Sequence, residues 1–144
     1  MSVTYIPADV RRAVIERAGR ACEYCRIHES DTLMGCHVDH VISEKHGGLT
    51  VVENLAYACA FCNRSKGSDV GSFVPPIKNA VFSRFFNPRT DVWSEHFAFD
   101  PSDDVTIRAL TSVGVVTERI FGFNRAVRVA ERERLYAVGR YPPP

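Results

Sequence analysis

The sequence predicts an α+β fold in which helices and short strands surround a metal site with four cysteine ligands. Two observations predict this class. Short segments with helical spacing of apolar residues occur along the chain with short strand-like segments bounded by turn residues, and two C-x-x-C pairs enclose the first pair of strands. With 144 residues the chain has the size of one domain, and we expect residues 1–144 to form a single domain.

The first half of the chain predicts the order helix, strand, strand, helix. Pro7 favours the start of the first helix and Gly19 its end. Gly47-Gly48 marks a turn between the two strands. Gly67 ends the second helix. The predicted ranges are a helix over 8–19, strands over 35–42 and 54–58, and a helix over 60–66.

The second half predicts helices around a β-hairpin. Apolar residues at near-helical spacing indicate a short helix over 77–86, after the break at Pro75-Pro76. Thr111 and Asn124 are the predicted N-caps of the last two helices. The predicted ranges are strands over 96–99 and 105–110 and helices over 111–121 and 124–138, the last with Val127, Ala130, Arg134 and Val138 along one side. The sequence indicates no role for the C-terminal extension, residues 78–144.

Four of the five cysteines form two C-x-x-C pairs with 33 residues between them. Each pair suits a tight turn in which two thiolates bind one ion, and two such pairs complete a tetrahedral zinc site with no open position. A closed site of this kind stabilises folding and performs no hydrolysis. Iron, a disulfide and free thiols are the alternatives. The predicted ligands are Cys22, Cys25, Cys59 and Cys62, and Cys36 remains outside the site.

The composition is that of an ordinary globular protein, with 45% apolar and 24% charged residues. No apolar run approaches the roughly 20 residues that cross a bilayer, so we expect no membrane partner. Residues 1–20 lack the apolar segment of a signal peptide, and the cytoplasm is the expected compartment. Its reducing conditions favour a metal site over a disulfide.

The net charge of +1 is uneven along the chain. Segments 60–90 and 119–140 are basic, whereas segment 91–118 is acidic. A surface of this kind suits contact with phosphate backbones. Charges scattered over solvated helix faces are the alternative interpretation.

Between and beside the cysteines lie residues that a four-thiolate site does not need, namely Asp39-His40, Asn54 and Asn63. A nucleobase deaminase does not fit, because Ala58 replaces the proline of its P-C-x-x-C motif and four thiolates leave no place for an activated water. In this order the residues resemble the HNH endonucleases, in the zinc-bearing branch of the ββα-metal nucleases. The resemblance covers residues 20–68, and residues 86–97 are similar to the tail of small stand-alone bacterial HNH proteins.

The resemblance implies a ββα-metal core, similar to a treble clef, that hydrolyses DNA, with double-stranded DNA as the expected partner. It implies that His40 is the general base, a role that imidazole suits near neutral pH. It implies that Asp39 and Asn63 bind Mg²⁺ or Mn²⁺, since hard ions prefer oxygen ligands. Asn54 would bridge the loop of the hairpin. The further DNA contacts that we expect are Lys66, Arg64 and His46, although Lys66 also fits a solvated helix end.

The chain departs from the name-giving pattern at Asn63, which replaces a histidine, and at Gly67, where some relatives carry another ligand. A homodimer would make double-strand cuts natural, whereas a monomer suggests nicking. Two alternatives of other classes remain: a zinc-stabilised nucleic-acid-binding module without catalysis, and a zinc-containing protein-interaction domain. The enzyme hypothesis depends on His40, because cleavage requires a base and binding does not.

Overall fold

The computed structural model describes residues 4–144, so the first three residues of the segment examined for a signal peptide lie outside the described residues. Helices and short antiparallel hairpins follow one another along the chain, which confirms the α+β prediction. The helices are α1 (Ala8–Arg17), α2 (Ala60–Lys66), α3 (Trp93–His96), α4 (Ser112–Phe121) and α5 (Ala126–Ala137). The strands are β1 (Cys36–His40), β2 (Leu55–Cys59), β3 (Gly71–Val74), β4 (Val81–Arg84), β5 (Phe97–Phe99) and β6 (Ile107–Ala109).

The β1–β2 hairpin and α2 form the centre of the fold. In the antiparallel register Cys36 faces Cys59 at one end of the hairpin, and His40 faces Leu55 at the other. All five residues of β2 are buried, and α2 begins directly after this strand at Ala60. One end of the hairpin therefore lies next to the cysteines, where α2 begins, and the other end lies next to His40.

The hydrophobic core joins this centre to the C-terminal half of the chain. It contains the four cysteines of the C-x-x-C pairs together with aromatic residues from both halves. Tyr24, for example, packs on Phe121 with ring centroids 4.8 Å apart, and Phe121 contacts Phe85 at 5.1 Å. A smaller core under α1 includes Val14 and Leu55, which are both fully buried.

The predicted helix over 77–86 is wrong, because this segment contains a strand. β4 pairs with β3 so that Phe73 faces Phe82, and the Pro75-Pro76 segment lies in the turn between them. The apolar residues that indicated the helix do not share one buried face. Phe85 and Phe86 are buried, at 5% and 3% exposure, whereas the other three, Ile77, Val81 and Phe82, are exposed. Pairing between strands overrides helical spacing here, a choice that periodicity alone does not decide.

The last helix also differs from its prediction. α5 begins after Arg125, and Asn124 is not its N-cap, since the Asn124 side chain instead bonds the backbone N–H and C=O of Ile107. Val127 and Val138, two of the residues predicted along one side of this helix, are 63% and 69% exposed. Its buried residues are Arg128 and Arg132, which face the core from successive turns. By contrast, Thr111 caps α4 as predicted, accepting a bond from Gly114 N at 3.0 Å.

Part of the positive charge in the two basic segments is buried or paired. In the basic segment 119–140, two of the six arginines are the buried Arg128 and Arg132, and Arg140 pairs with Asp31 at 2.8 Å. In the segment 60–90, Arg84 pairs with Asp91 at 2.6 Å. Among residues 4–144, no helix is long and apolar enough to cross a membrane.

Candidate functional site

The four cysteines of the C-x-x-C pairs form one buried cluster, as the spacing predicts. Their sulfur atoms all lie within 4.8 Å of one another, and Cys25 Sγ lies 3.7 Å from Cys59 Sγ. Four thiolates at roughly 2.3 Å from a tetrahedral zinc ion would lie about 3.8 Å apart. The donor set and its spacing therefore fit a structural zinc ion.

Local backbone geometry positions these sulfurs. In each pair the backbone N–H of the second cysteine donates to the first sulfur at 3.5 Å, from Cys25 to Cys22 and from Cys62 to Cys59. Cys59 is also the N-cap of α2, so the helix starts at the cluster. Burial and the neighbouring sulfurs raise the pKa of the Cys62 thiol well above its ordinary value. A bound cation would reverse this effect by stabilising the thiolate.

Two further residues define the limits of the cluster: Arg128 contacts its sulfurs, and Cys36 lies outside it. The guanidinium of Arg128 reaches the cluster from α5, with Nη2 at 3.3 Å from Cys62 Sγ and 3.8 Å from Cys59 Sγ. Burial alone would lower the pKa of Arg128, but the adjacent thiolates raise this pKa above its ordinary value. Cys36 is only partly buried and does not belong to the cluster, in agreement with the prediction.

The second group of predicted residues lies at the opposite end of the hairpin. Asp39 and His40 end β1, and Asn54 lies just before β2. Because each strand residue advances about 3.4 Å, the four steps from Cys36 to His40 separate the two ends by roughly 14 Å. α2 runs between them, from the cysteines to Lys66. The structure thus separates the candidate zinc site from the candidate catalytic residues and connects them through one helix.

His40 is 4% exposed, and its ring has a defined partner. Its Nε2 lies 2.9 Å from Thr50 Oγ1 and 3.6 Å from Glu44 Oε1. The Thr50 hydroxyl in turn donates to Glu44 Oε1 at 3.3 Å. The other ring nitrogen of His40, Nδ1, has no hydrogen-bond partner among residues 4–144. The single fully buried side-chain nitrogen or oxygen without a partner in this part of the chain is Arg89 Nε, so Nδ1 is not fully buried and still reaches solvent.

Thr50 and Glu44 were not identified from the sequence. Both lie in the loop between β1 and β2, where nothing in the local pattern marks them. Thr50 and Glu44 follow His40 by ten and four residues, and such separations permit a contact without predicting it. The path of the folded loop brings both side chains to the His40 ring.

Asn54 bridges the two ends of this loop. Its Oδ1 accepts from Ile42 N, and its Nδ2 donates to Ile42 O and Leu49 O, each at 2.9 Å. Gly48 allows this close approach, because a Cβ at this position would lie 1.7 Å from Ile42 O and 2.7 Å from Asn54 Nδ2. The Gly47-Gly48 turn signal therefore reflects tight packing as well as a left-handed φ of 87° at Gly47.

Lys66 is buried rather than a solvated helix end, with 2% of its side chain exposed. Its ammonium donates to Asp39 Oδ2 at 3.2 Å and to the His40 carbonyl at 2.8 Å. Asn63 lies one turn earlier on α2, so it is on the same side of the helix as Lys66. Within residues 4–144 the Asn63 side chain has no hydrogen-bond partner, and Asp39 is 21% exposed. Arg64 and His46 are exposed.

The family comparison matches this part of the chain. Residues 22–69 match the model of the HNH endonucleases. This segment, a third of the chain, is therefore similar to an HNH endonuclease domain. Comparison of the chain with curated proteins and with solved structures gives no match.

The HNH segment begins at Cys22 and contains both groups of residues, the buried cysteine cluster and the loop with Asp39, His40 and Asn54. A buried four-cysteine cluster within small hairpins is typical of zinc-bearing HNH domains. Proteins of the HNH endonuclease family are generally nucleases, which act on nucleic acids. Arg128, which contacts the cluster, lies outside the HNH segment, in the C-terminal half of the chain.

Proposed function

We propose that the chain is a metal-dependent endonuclease that hydrolyses phosphodiester bonds in double-stranded DNA, with His40 as general base. The observation that carries the proposal is the environment of His40. One ring nitrogen is held by Thr50, and the other has no partner among residues 4–144. A general base needs this combination, because its ring must be oriented while one nitrogen remains available to a water molecule.

We infer from the hydrogen bonds of Thr50 which nitrogen of the His40 ring carries the proton. A threonine hydroxyl has one proton, and Thr50 donates it to Glu44 Oε1. Thr50 Oγ1 therefore accepts the bond from His40, so Nε2 carries the proton of the neutral ring. Nδ1 is then the nitrogen with the free lone pair, and it accepts the proton of the attacking water.

Asp39 and Asn63 supply the two oxygen ligands for a divalent metal ion. The partly exposed carboxylate of Asp39 and the unpaired amide of Asn63 suit Mg²⁺ or Mn²⁺, which bind oxygen and retain several waters. When bound, the ion would stabilise negative charge on the scissile phosphate and the leaving 3′-oxygen.

For Lys66 we propose a positioning role. Its ammonium bonds both the Asp39 carboxylate and the His40 backbone carbonyl, so it fixes the end of β1 that carries the two residues. Asn54 has the corresponding role for the loop, because it holds together the backbone on both sides of Glu44 and Thr50.

The exposed Arg64 and His46 are the proposed contacts to the DNA backbone. They lie on α2 and in the loop between β1 and β2, the two elements that also carry Asn63 and Thr50. Contacts to phosphate position a duplex without reading its sequence, so we expect the cleavage to show little sequence preference from these residues.

The test uses the zinc-loaded full-length chain and supercoiled plasmid DNA, with Mg²⁺ or Mn²⁺. We expect relaxation of the plasmid, loss of this activity in His40→Ala, and retention of it in His37→Ala, which removes an exposed imidazole from the same strand. General base catalysis typically contributes about 10² to 10⁴-fold. Nicks that DNA ligase reseals would show 5′-phosphate and 3′-hydroxyl ends.

Two results would contradict the proposal. If the wild-type chain binds DNA but cleaves it with neither metal, the alternative of a zinc-stabilised nucleic-acid-binding module is supported. If His40→Ala cleaves as fast as His37→Ala, the base is another group. The product also reports the assembly, because a monomer is expected to give open circles first and a homodimer linear DNA.

A further inference from the structure

The C-terminal half of the chain reaches the cysteine cluster through one charged side chain. Arg128 is 4% exposed, and its guanidinium nitrogen Nη2 lies 3.3 Å from Cys62 Sγ and 3.8 Å from Cys59 Sγ. These two sulfurs belong to the second C-x-x-C pair, at the start of α2. Arg128 itself lies outside residues 22–69, the segment that matches the HNH family.

Other contacts fix the guanidinium in this place. Its Nη1 donates to the Phe121 carbonyl at 2.7 Å, which is the last residue of α4. The guanidinium carbon lies 5.4 Å from the ring centre of Phe61 and 5.9 Å from that of Phe123. The carbonyl and the two aromatic rings hold the guanidinium in the position in which Nη2 contacts the sulfurs.

The charge of the cluster explains why a buried arginine is stable there. Four thiolates around a Zn²⁺ ion carry a net charge of −2, and a buried charge is costly unless it is paired. One guanidinium reduces this charge to −1 and donates an N–H to sulfur. Within residues 4–144, no carboxylate pairs with Arg128 by an ion pair, so the sulfurs are its anionic partners.

We propose that Arg128 is part of the metal centre, as the residue that compensates the thiolate charge and strengthens the retention of zinc. The proposal gives a role to the C-terminal extension, residues 78–144: it completes a site whose ligands all lie earlier in the chain. It is independent of whether the chain cleaves DNA.

Arg132 provides a matched control on the same helix. It lies one turn after Arg128, is 2% exposed, and donates to the carbonyls of Val105 and Phe123, each at 2.8 Å. It also donates to Asn124 Oδ1 at 3.1 Å. Replacing either arginine therefore removes a buried guanidinium from α5, but only the Arg128 replacement removes a contact to sulfur.

The experiment measures zinc affinity of the full-length chain by competition with a chromophoric chelator. Loss of a partner that bonds a metal ligand typically lowers metal affinity about 10- to 100-fold. We expect a loss in this range for Arg128→Met and less than about threefold for Arg132→Met. Equal losses in the two variants would overturn the proposal, since they would reflect general destabilisation by the loss of a buried guanidinium.

A second measurement does not depend on the stability of the methionine variant. Co²⁺ in place of zinc gives an absorption band from thiolate-to-metal charge transfer, and an N–H bond to sulfur raises its energy. We expect this band to move to longer wavelength in Arg128→Lys, which keeps the charge and loses the planar fork. The band should not move in Arg132→Lys. An unchanged band in Arg128→Lys, with zinc affinity equal to wild type, would overturn the proposal.

Discussion

The two ends of the β1–β2 hairpin differ in how far their polar groups are satisfied. At one end, four sulfurs are buried together and contact backbone N–H groups and Arg128. At the other end, His40 Nδ1 and the Asn63 amide have no partner among residues 4–144, and Asp39 is partly exposed. A complete set of four ligands stabilises a fold, whereas polar groups without a full set of partners remain available to bind water, metal and substrate.

α2 connects the end of the hairpin at the cysteine cluster, here called the closed end, with the end at His40, here called the open end. Its first turn carries Cys62 and its last residue is Lys66, which bonds Asp39 and the His40 carbonyl. A seven-residue helix spans about 10 Å and is too short to be stable alone. Zinc bound at its start would therefore fix the position of Lys66, and with it the end of β1.

The largest expected effect comes from breaking the closed end. Cys62→Ser removes one of four ligands, and structural zinc sites contribute apparent binding energies of about 10–16 kcal/mol at neutral pH. Because this is as large as the usual stability of a whole domain, about 5–15 kcal/mol, we expect the variant to lose cooperative thermal unfolding. Circular dichroism during heating measures this. Cys36→Ser, outside the cluster, is the control and should melt as wild type does; a cooperative transition in Cys62→Ser at the wild-type temperature would contradict the prediction.

The next effect concerns the end of the hairpin that carries Asp39 and His40. Asp39→Asn keeps an oxygen that accepts from Lys66 but loses the negative charge that attracts a divalent ion. Since such an ion contributes several kcal/mol to transition-state stabilisation, we expect plasmid cleavage to fall by at least about 100-fold. The melting temperature should also fall, because the buried Lys66 loses its anionic partner, so cleavage is measured well below the melting temperature of the variant.

Cleavage rate against Mn²⁺ concentration is the measurement for this variant. Asp69→Asn is the control, because Asp69 is an exposed carboxylate three residues after Lys66. Cleavage by Asp39→Asn within about threefold of the control at every metal concentration would show that Asp39 is not a metal ligand.

The sequence predicts the closed end better than the open one, for a physical reason. A C-x-x-C pair fixes both ligands within one turn, so its spacing already contains the local geometry, and Cys22, Cys25, Cys59 and Cys62 were all found. Asp39 lies in β1 and Asn54 directly before β2, and both strands were predicted from the sequence. The loop partners Thr50 and Glu44 contact His40 only through the path of the folded loop, which no periodicity encodes.

Burial of charge marks the other limit of prediction. The apolar residues Val127 and Val138 of the last helix are exposed, whereas Arg128 and Arg132 are the buried residues of α5. Arginine is rarely buried unless it is paired. The partners here are sulfurs and carbonyls from distant segments, so the correct face of the helix depends on contacts that the helix sequence does not contain. Strand pairing between Phe73 and Phe82 had the same effect on the predicted helix over 77–86.

A smaller effect tests how the loop is held at the open end. Gly48→Ala places a methyl group 1.7 Å from Ile42 O and 2.7 Å from Asn54 Nδ2, so the loop must move. Overpacking of this kind typically costs about 1–3 kcal/mol, and we expect a lower melting temperature together with reduced cleavage. In Gly47→Ala the added group meets nothing within 4 Å and only the left-handed φ is unfavourable. Full cleavage by Gly48→Ala at unchanged stability would contradict the role of the Asn54 bridge.

The smallest effect concerns the proton on the His40 ring. Thr50→Val preserves shape but removes the oxygen that holds Nε2–H. A hydrogen bond of this kind is worth about 1 kcal/mol, so the ring should populate both tautomers and cleavage should fall about five- to tenfold. Thr50→Ser, which keeps the hydroxyl, should restore both properties. The ¹⁵N shifts of the imidazole measure the tautomer directly: the wild type should show an unprotonated Nδ1, and the valine variant a mixture. If the valine variant keeps the wild-type shifts and the wild-type rate, Thr50 does not orient the base. If the shifts change while the rate does not, Thr50 sets the tautomer but His40 Nδ1 does not accept the proton from water.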